Sequence, residues 1–297
     1  MKKLIVAVLG LFVAVFFTAC GDSKKSDTNA TDTNASASSA ALEAIKANGV
    51  IRIGVFGDKP PFGYVDASGV NQGYDIVFAK RIAQELLGDE NKVQFVLVEA
   101  QNRVEFLKSD KVDVILANFT QTPERAEQVD FTLPYMKVSL GVVVPNDSAI
   151  ASVEDLKGKK LIVNKGTTAD AYFTKNQQSL GLGEILRFDQ NTETFSALKD
   201  GRGDALSHDN TLLFAWAKDA QDKDGKGYKV VVRELGSKDV IAGAVKKGNA
   251  ELKKFIDDLI VKLADEQFFH KAYDTTLKDA FTSDINAEDV VIEGGKY

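Results

Sequence analysis

The chain has 297 residues, of which 44% are hydrophobic and 27% are charged, a composition that is ordinary for a globular protein. This length is sufficient for two modest hydrophobic cores or a single large one. The formal net charge is −6 and no long run of lysine and arginine occurs, so the composition argues against nucleic acid as a partner.

The N-terminus has the pattern of a secretion signal. Lys2 and Lys3 precede an apolar stretch over 4–17, which is too short to span a membrane comfortably and is followed by polar residues. Cys20, the only cysteine, comes after Phe17-Thr18-Ala19, which resembles the lipobox of bacterial lipoproteins with Phe17 in place of the usual leucine. We predict a signal peptide over 1–19 and a lipidated Cys20 that holds the protein on a membrane of the periplasm or cell envelope.

Residues 20–47 are predicted to be a tether. The stretch 22–40 is almost entirely Asp, Ser, Lys, Thr, Asn and Ala, which cannot form a hydrophobic core. Asn29 and Asn34 each lie in an acid-x-Asn-x-Ser/Thr pattern that resembles the extended acceptor of bacterial N-glycosylation. A low-complexity repeat produces the same pattern by chance, so both interpretations stay open.

From Gly49 onward, the sequence predicts alternating strands and helices, typical of an α/β fold with largely parallel sheets. A first βαβαβ unit has strands over 50–55, 93–98 and 112–117 and helices over 74–87 and 102–108. A second has strands over 161–163, 185–188 and 205–207, a helix after Gly166 and another over 192–199. Segments 137–144 and 240–245 are predicted to cross between the units, and a final helix is predicted to begin after Asn249 as its N-cap. No element is predicted beyond Tyr273.

A polar string follows the third predicted strand, and its central residue is Arg125 in the sequence Thr122-Pro123-Glu124-Arg125. Open α/β sheets bind ligands at the carboxyl ends of their strands, and arginine can grip a carboxylate with two hydrogen bonds. By itself, an arginine in the first turns of a helix is more often a solvated surface charge.

The string as a whole resembles the signature of the periplasmic amino-acid-binding proteins of ABC transporters, solute-binding protein family 3. The resemblance covers roughly 49–272 and rests on several short motifs. They are Pro61-Phe62, Gly73-Tyr74-Asp75-Ile76, Thr120-Gln121-Thr122-Pro123-Glu124-Arg125, Phe131-Thr132-Leu133-Pro134-Tyr135, Asn164-Lys165-Gly166-Thr167-Thr168 and Gly203-Asp204-Ala205. It implies a two-lobed α/β fold of the type II periplasmic-binding-protein class, with lobe I over 48–138 and 240–297, lobe II over 139–239 and two hinge crossings.

The resemblance also implies the ligand contacts. Arg125 matches the arginine that binds the α-carboxylate, helped by Thr120, Thr167 and Thr168, and Asp209 matches the acid that binds the α-ammonium. The helix start after Gly166 independently suits an anion, although the same threonines would serve as plain N-caps. Asp209 alone would be interpreted as another helix cap. The predicted ligand-binding residues are Phe62, Asn118, Thr120, Thr122, Arg125, Thr167, Thr168 and Asp209.

The departures from the family concern the side chain of the ligand. Phe56 stands where binders of basic or amide amino acids carry an acid, Lys59 stands at the aromatic lid, and Ala100 stands at a further stacking position. A cationic side chain would lack a counter-charge, so a small uncharged amino acid is predicted. The segments 118–135, 164–173 and 207–216 especially resemble cysteine-binding surface lipoproteins of the CjaA type, which implies cysteine as the ligand.

The sequence argues against an enzymatic function. His208 is interpreted as structural, only one other histidine occurs, and no catalytic residue, metal site or cofactor is predicted. Cyclohexadienyl dehydratases on the same fold are the enzymatic alternative, and a surface antigen or adhesin is a third. The resemblance implies a monomer that delivers a free amino acid to a membrane permease.

Overall fold

The computed structural model describes residues 41–224, 227–283 and 285–297. The predicted signal peptide, Cys20, Asn29 and Asn34 lie outside these ranges. Within them, the chain forms eleven β-strands. They are β1 Ile51–Val55, β2 Asp58–Lys59, β3 Gly63–Val65, β4 Asn71–Gln72, β5 Val93–Leu97, β6 Val114–Ile115, β7 Val129–Pro145, β8 Leu161–Asn164, β9 Ile185–Phe188, β10 Ala205–Asp209 and β11 Tyr228–Lys246.

The α-helices lie between these strands and after them. From residue 74 onward they are α1 Tyr74–Leu87, α2 Arg103–Lys108, α3 Pro123–Ala126, α4 Thr168–Asn176, α5 Asn191–Lys199, α6 Asn210–Asp224, α7 Ala250–Leu263, α8 Phe268–Thr276 and α9 Ala287–Val290. Among the described helices, none is both long enough and apolar enough to cross a membrane.

One eight-stranded sheet organises the molecule, in the order β5-β1-β6-β11-β7-β10-β8-β9. The three strands at each end run parallel to one another, as the βαβαβ pattern predicts. We call β5, β1 and β6 with their helices the first half, and β10, β8 and β9 with theirs the second half. A small antiparallel sheet of β2, β3 and β4 follows β1.

Two long antiparallel strands join the halves. β7 has 17 residues and β11 has 19, so each is much longer than the crossing segment that the apolar pattern predicts. The first half pairs with β11 through Ala244 and Val245, whereas the second half pairs with β7 through 140–143. Gly141 is required in this register, because a Cβ atom there would lie 2.9 Å from the carbonyl oxygen of Val232.

Local patterns explain where the principal helices begin and end. Helix α1 ends where Gly88 adopts the left-handed conformation and donates its N–H to the carbonyl of Gln84, as the sequence predicts. Helix α7 starts after Asn249, but the side chain of Asn249 makes no capping hydrogen bond, so that part of the prediction is wrong. The helix is stabilised instead by an apolar face that is buried in the core.

Three further differences from the sequence predictions concern element bounds. The third strand is only two residues long, Val114–Ile115, although the backbone N–H groups of Asp113 and Leu116 still donate to the carbonyls of Arg52 and Gly54 in β1. The predicted final helix ends at Leu263 and a separate helix, α8, begins at Phe268, while α9 lies wholly beyond Tyr273, where no element was predicted. Residues 41–48 are helical, and Ile45 is buried in the core within the segment predicted as tether.

Candidate functional site

The carboxyl ends of the parallel strands from both halves meet at one place. Lys59 follows β1 and Asn118 follows β6, while Gly166 follows β8 and Asp209 ends β10. Open sheets bind ligands in this position, where strand order changes and backbone groups are not used by the sheet. The geometry therefore places the candidate site between the two halves.

A continuous chain of buried hydrogen bonds runs through this site from the first half to the second. The hydroxyl of Tyr135 donates to Asp75 at 2.7 Å, and Asp75 also accepts the backbone N–H of Asn118 at 2.8 Å. The ammonium of Lys59 donates to Asn118 Oδ1 at 2.6 Å and to Asp209 Oδ2 at 3.1 Å. We call these five residues, Tyr135, Asp75, Asn118, Lys59 and Asp209, the buried polar chain.

The pKa values of the two carboxylates in the buried polar chain are shifted in opposite directions. Burial raises the pKa of Asp75 to about 6, against the opposing effect of its hydrogen bonds from Tyr135 and Asn118. Burial would raise the pKa of Asp209 as well, but the charge of Lys59 and the hydrogen bonds around Asp209 hold it below its ordinary value. Burial lowers the pKa of Lys59, and Asp209 opposes that change. Asp209 therefore stays ionised to a lower pH than Asp75.

Arg125 lies beside this chain with its guanidinium bound to backbone oxygens. It donates from Nη1 to the carbonyl of Thr120 at 2.7 Å and from Nη2 to the carbonyl of Gly166 at 3.0 Å. Its plane lies over the ring of Phe119, 4.8 Å from the centroid. The guanidinium carries five N–H donors, so the two carbonyls leave donors for a ligand carboxylate.

Short-range capping orients Arg125. The hydroxyl of Thr122 accepts the backbone N–H of Arg125 at 3.3 Å, and Pro123 occupies the first position of α3. The arginine side chain consequently points toward the second half instead of into solvent. Burial lowers the pKa of Arg125 to about 10, which leaves it protonated at neutral pH. The interpretation of Arg125 as a solvated surface charge is therefore wrong.

The start of helix α4 faces Arg125 across the site. Thr167 accepts the N–H of Asp170 at 3.2 Å, and Asp170 in turn accepts the N–H of Gly166 at 3.1 Å, so the predicted N-cap is present. Gly166 has a φ of 77°, and a Cβ atom there would lie 2.6 Å from the Cα atom of Gln101 in the first half. Only glycine allows the halves to approach this closely.

Two further contacts connect the halves around the site. Asp58 accepts the backbone N–H of Asn191 at 2.6 Å and its side-chain amide at 2.9 Å, so a first-half carboxylate caps helix α5 of the second half. Gln101 donates to Asp189 at 3.0 Å. With Lys59–Asp209 and Arg125–Gly166, these bonds define a closed arrangement of the two halves.

The remaining predicted residues surround the same space. Thr120 is buried, and Thr168 is half-buried at the first position of α4. Phe62 is fully buried, with its ring centroid 5.9 Å from the ammonium of Lys59. The structure thus brings all eight predicted residues to one end of the sheet.

Sequence reasoning missed three charged groups of the site. Lys59, predicted only as a departure from an aromatic lid, is 1% exposed and lies over the ring of Phe56 at 5.3 Å. Arg103 is buried and donates to the carbonyls of Ala100, Ala117, Asn118 and Gly166. Asp75 was identified from the sequence only as part of a family motif, with no role predicted for it. Gly73-Tyr74-Asp75, which places an acid in the first turn of a buried helix, was the available signal.

His208 is buried next to Asp209 and has no opening to a substrate. Its Nδ1 accepts the N–H of Asp209 at 2.7 Å, its ring meets Trp216 edge-on, and burial lowers its pKa. A neutral, enclosed imidazole fits the structural role that the sequence indicates. In the described part of the chain, no group of three or more His, Cys, Asp or Glu residues is arranged to hold a metal ion.

Comparison with known proteins places this geometry in a family. The crystal structure of a cysteine-binding protein from Campylobacter jejuni is 72% identical with a TM-score of 0.81, covering 85% of this chain and 98% of that one. A solute receptor for L-cysteine from Neisseria gonorrhoeae is 54% identical with a TM-score of 0.80, covering 85% and 99%. The glutamine-binding protein of an ABC transporter from Bacillus subtilis (strain 168) is 34% identical over 282 residues, 94% of this chain and 98% of the relative.

The family pattern itself matches residues 51–278, which include every element from β1 to α8 and all the site residues described above. The two structural relatives are two-lobed periplasmic binding proteins, which agrees with two sheet halves joined by β7 and β11. The chain belongs to family 3 of the bacterial extracellular solute-binding proteins.

Proposed function

We propose that the protein is the extracytoplasmic substrate-binding component of an amino-acid ABC transporter, with cysteine as its ligand. Two related structures, 72% and 54% identical, are described as binding cysteine, and this observation carries the choice of ligand. The site adds a physical argument. Arg125 with unused donors belongs to the first half and ionised Asp209 to the second, so one zwitterion can contact both.

The proposed contacts follow from these positions. Arg125 binds the α-carboxylate together with Thr120, Thr167 and Thr168, and Asp209 binds the α-ammonium. Phe62, Asn118 and Thr122 complete the site as neighbouring wall and support residues. Lobes over 48–138 with 240–297 and over 139–239 then close on the ligand, and the ligand stabilises the closed state because only that state provides every contact.

Arg125→Ala tests whether Arg125 binds the α-carboxylate of the ligand and thereby stabilises the closed state. We expect at least a 30-fold loss of cysteine affinity, since removing one partner of a buried charge pair typically costs about 2 to 5 kcal/mol. The measurements are calorimetric titration and small-angle scattering with and without cysteine. If Arg125→Ala kept wild-type affinity and still became more compact with cysteine, Arg125 would not be the residue that binds the ligand α-carboxylate.

The ligand itself is tested by a thermal-shift screen of the purified protein against all amino acids under reducing conditions. Saturation at about 100 times the dissociation constant stabilises a protein by roughly 2.7 kcal/mol, so a ligand shifts the unfolding temperature measurably. Cysteine should bind more tightly than serine, and Lys, Arg and Glu weakly or not at all. Tightest binding by a charged amino acid would contradict the proposal.

Binding without turnover is proposed because the described cleft lacks an accessible acid–base pair. Asp75 is held behind the site by Tyr135 and Asn118, and Asp209 is paired with Lys59. Incubation with prephenate or arogenate, the substrates of the dehydratase alternative, should give no product. An antigen or adhesin role alone would leave the site without purpose, so micromolar or tighter cysteine binding argues against it.

Membrane attachment through Cys20 is the final part of the proposal. Cys20→Ser should leave an unprocessed precursor, whereas the mature wild-type protein should partition into detergent. Aqueous partitioning of wild-type protein whose Cys20 reacts with a thiol reagent would exclude the lipid.

A further inference from the structure

Three cations and three carboxylates lie in or beside the candidate site. The cations are Lys59, Arg103 and Arg125, and the carboxylates are Asp75, Asp209 and the half-buried Asp239 near Arg125. Both guanidiniums bind backbone carbonyls and neither is paired with a carboxylate of the described chain. A zwitterion with a neutral side chain adds no net charge, so Asp209 stays the one carboxylate of these groups in contact with Lys59, in a buried, weakly screened setting.

The second oxygen of Asp209 is available to a ligand. Lys59 and His208 both approach Oδ2, at 3.1 Å and 3.5 Å, while Oδ1 accepts no hydrogen bond from the described residues. A ligand ammonium bound to Oδ1 would therefore lie close to the Lys59 ammonium without displacing it. Two neighbouring ammonium groups repel, and a negative atom on the ligand side chain would relieve that repulsion.

The surroundings of Lys59 keep its ammonium at this place. It lies 5.3 Å from the ring centroid of Phe56 and 5.9 Å from that of Phe62, and it donates to Asn118 Oδ1. The charged or titratable groups around Lys59 and Arg125 are Asp75 on α1, Arg103 on α2, Glu124 on α3, His208 and Asp209 on β10, and Asp239 on β11. Asp209 is the carboxylate among them in direct contact with Lys59.

We propose that Lys59 is the specificity-determining residue of the site and that it binds the side chain of cysteine as a thiolate. The inference rests on the proposed function, in which cysteine is the ligand. On binding, the ligand S–H loses its proton to solvent, and the resulting S⁻ pairs with the Lys59 ammonium. Free thiols have a pKa near 8.5, and a neighbouring cation lowers it. The hydroxyl of serine does not ionise in this range, so it gains no such ion pair.

Proton release measures this step directly. We expect calorimetric titration at pH 7 in buffers of different ionisation enthalpy to show close to one proton released for each cysteine bound and none for serine. Between pH 7 and 8, cysteine affinity should rise nearly tenfold while serine affinity stays constant. This window lies above the titration of Asp75, whose pKa is about 6, so that group does not contribute.

The matched variants are Lys59→Met, Lys59→Arg and Lys271→Met, the last removing an exposed lysine of α8. Lys59→Met should lose proton release and lower the preference for cysteine over serine at least tenfold, whereas Lys59→Arg and Lys271→Met should retain both. Cysteine binding by the wild type without proton release overturns the inference but leaves the proposed function intact. Absence of cysteine binding by the wild type overturns both. The wild-type proton count decides the question even if Lys59→Met fails to fold.

Discussion

Asp75 and Asp209 are both almost completely buried and lie near the same lysine, yet the pKa of Asp75 is raised and that of Asp209 is lowered. Asp75 is bound by the hydroxyl of Tyr135 on β7 and by the backbone N–H of Asn118, and these neutral donors do not offset the loss of water. Asp209 is paired with an ammonium that reaches it from the other half. The difference indicates that a buried acid bound by neutral donors supports the scaffold, whereas one paired with a cation between the halves is poised for a charged ligand.

Asp209→Asn removes the carboxylate with the lower pKa in this comparison and should have the largest effect on cysteine binding. The ligand ammonium and Lys59 would then share a neutral amide, and a loss of about 2 to 5 kcal/mol corresponds to roughly 30-fold or greater weakening of cysteine binding. Calorimetric titration measures it. Glu124→Gln, which neutralises an exposed carboxylate next to Arg125, is the control and should stay within twofold. Equal affinities in the two variants would show that Asp209 does not bind the ammonium.

Asp58→Ala tests whether hydrogen bonds between the halves contribute to cysteine affinity even though they do not contact the ligand. Its carboxylate caps helix α5 only while the halves are closed, so its loss should weaken cysteine binding about tenfold. The effect should lie in the dissociation rate, since the closed state opens more readily. Stopped-flow kinetics measure this rate, with Asp89→Ala, a half-buried loop carboxylate that accepts hydrogen bonds from Asn91, as control. An unchanged dissociation rate would count against closure as the role of Asp58.

Asp75→Asn should change cysteine affinity least, within threefold, but should alter how stability depends on pH. The folded pKa of Asp75 is about 6, above its ordinary 3.8, so ionisation is disfavoured in the folded state. Ionisation of Asp75 therefore lowers the free energy of unfolding. This loss is absent below about pH 4, grows between pH 4 and 6, and is complete above pH 6. Two pKa units correspond to about 3 kcal/mol.

Urea unfolding at pH 4, 5, 6 and 7 measures this effect. The stability of Asp75→Asn relative to wild type should increase by about 3 kcal/mol over that range. A difference that does not vary with pH would mean that Asp75 titrates normally.

The same comparison shows which parts of the molecule were predictable from sequence. Helix α1 was placed with both its ends because its apolar spacing and Gly88 are local signals. Asp209 was found only through the family resemblance. Lys59 was missed as a contact, since its partner Asp209 lies 150 residues away in the sequence and no local pattern marks a lysine that the fold buries. The lengths of β7 and β11 were missed for the same reason, because partners distant in the sequence extend them.

The pairing of β6 with β11 also has a consequence for the order in which the chain folds. Strands β7, β8, β9 and β10 all precede residue 210, so the second half can assemble its strands while the chain is still being made. The free edge of β6, by contrast, has no partner until Ala244 and Val245 have been synthesised. An open strand edge is a site of unwanted association. The β6–β11 pairing also joins residues much farther apart in the sequence, Ile115 and Ala244, than the β8–β9 pairing of Leu161 and Ile185. We therefore expect amide protection in β6 to appear after that in β8 when refolding is followed by pulsed hydrogen exchange.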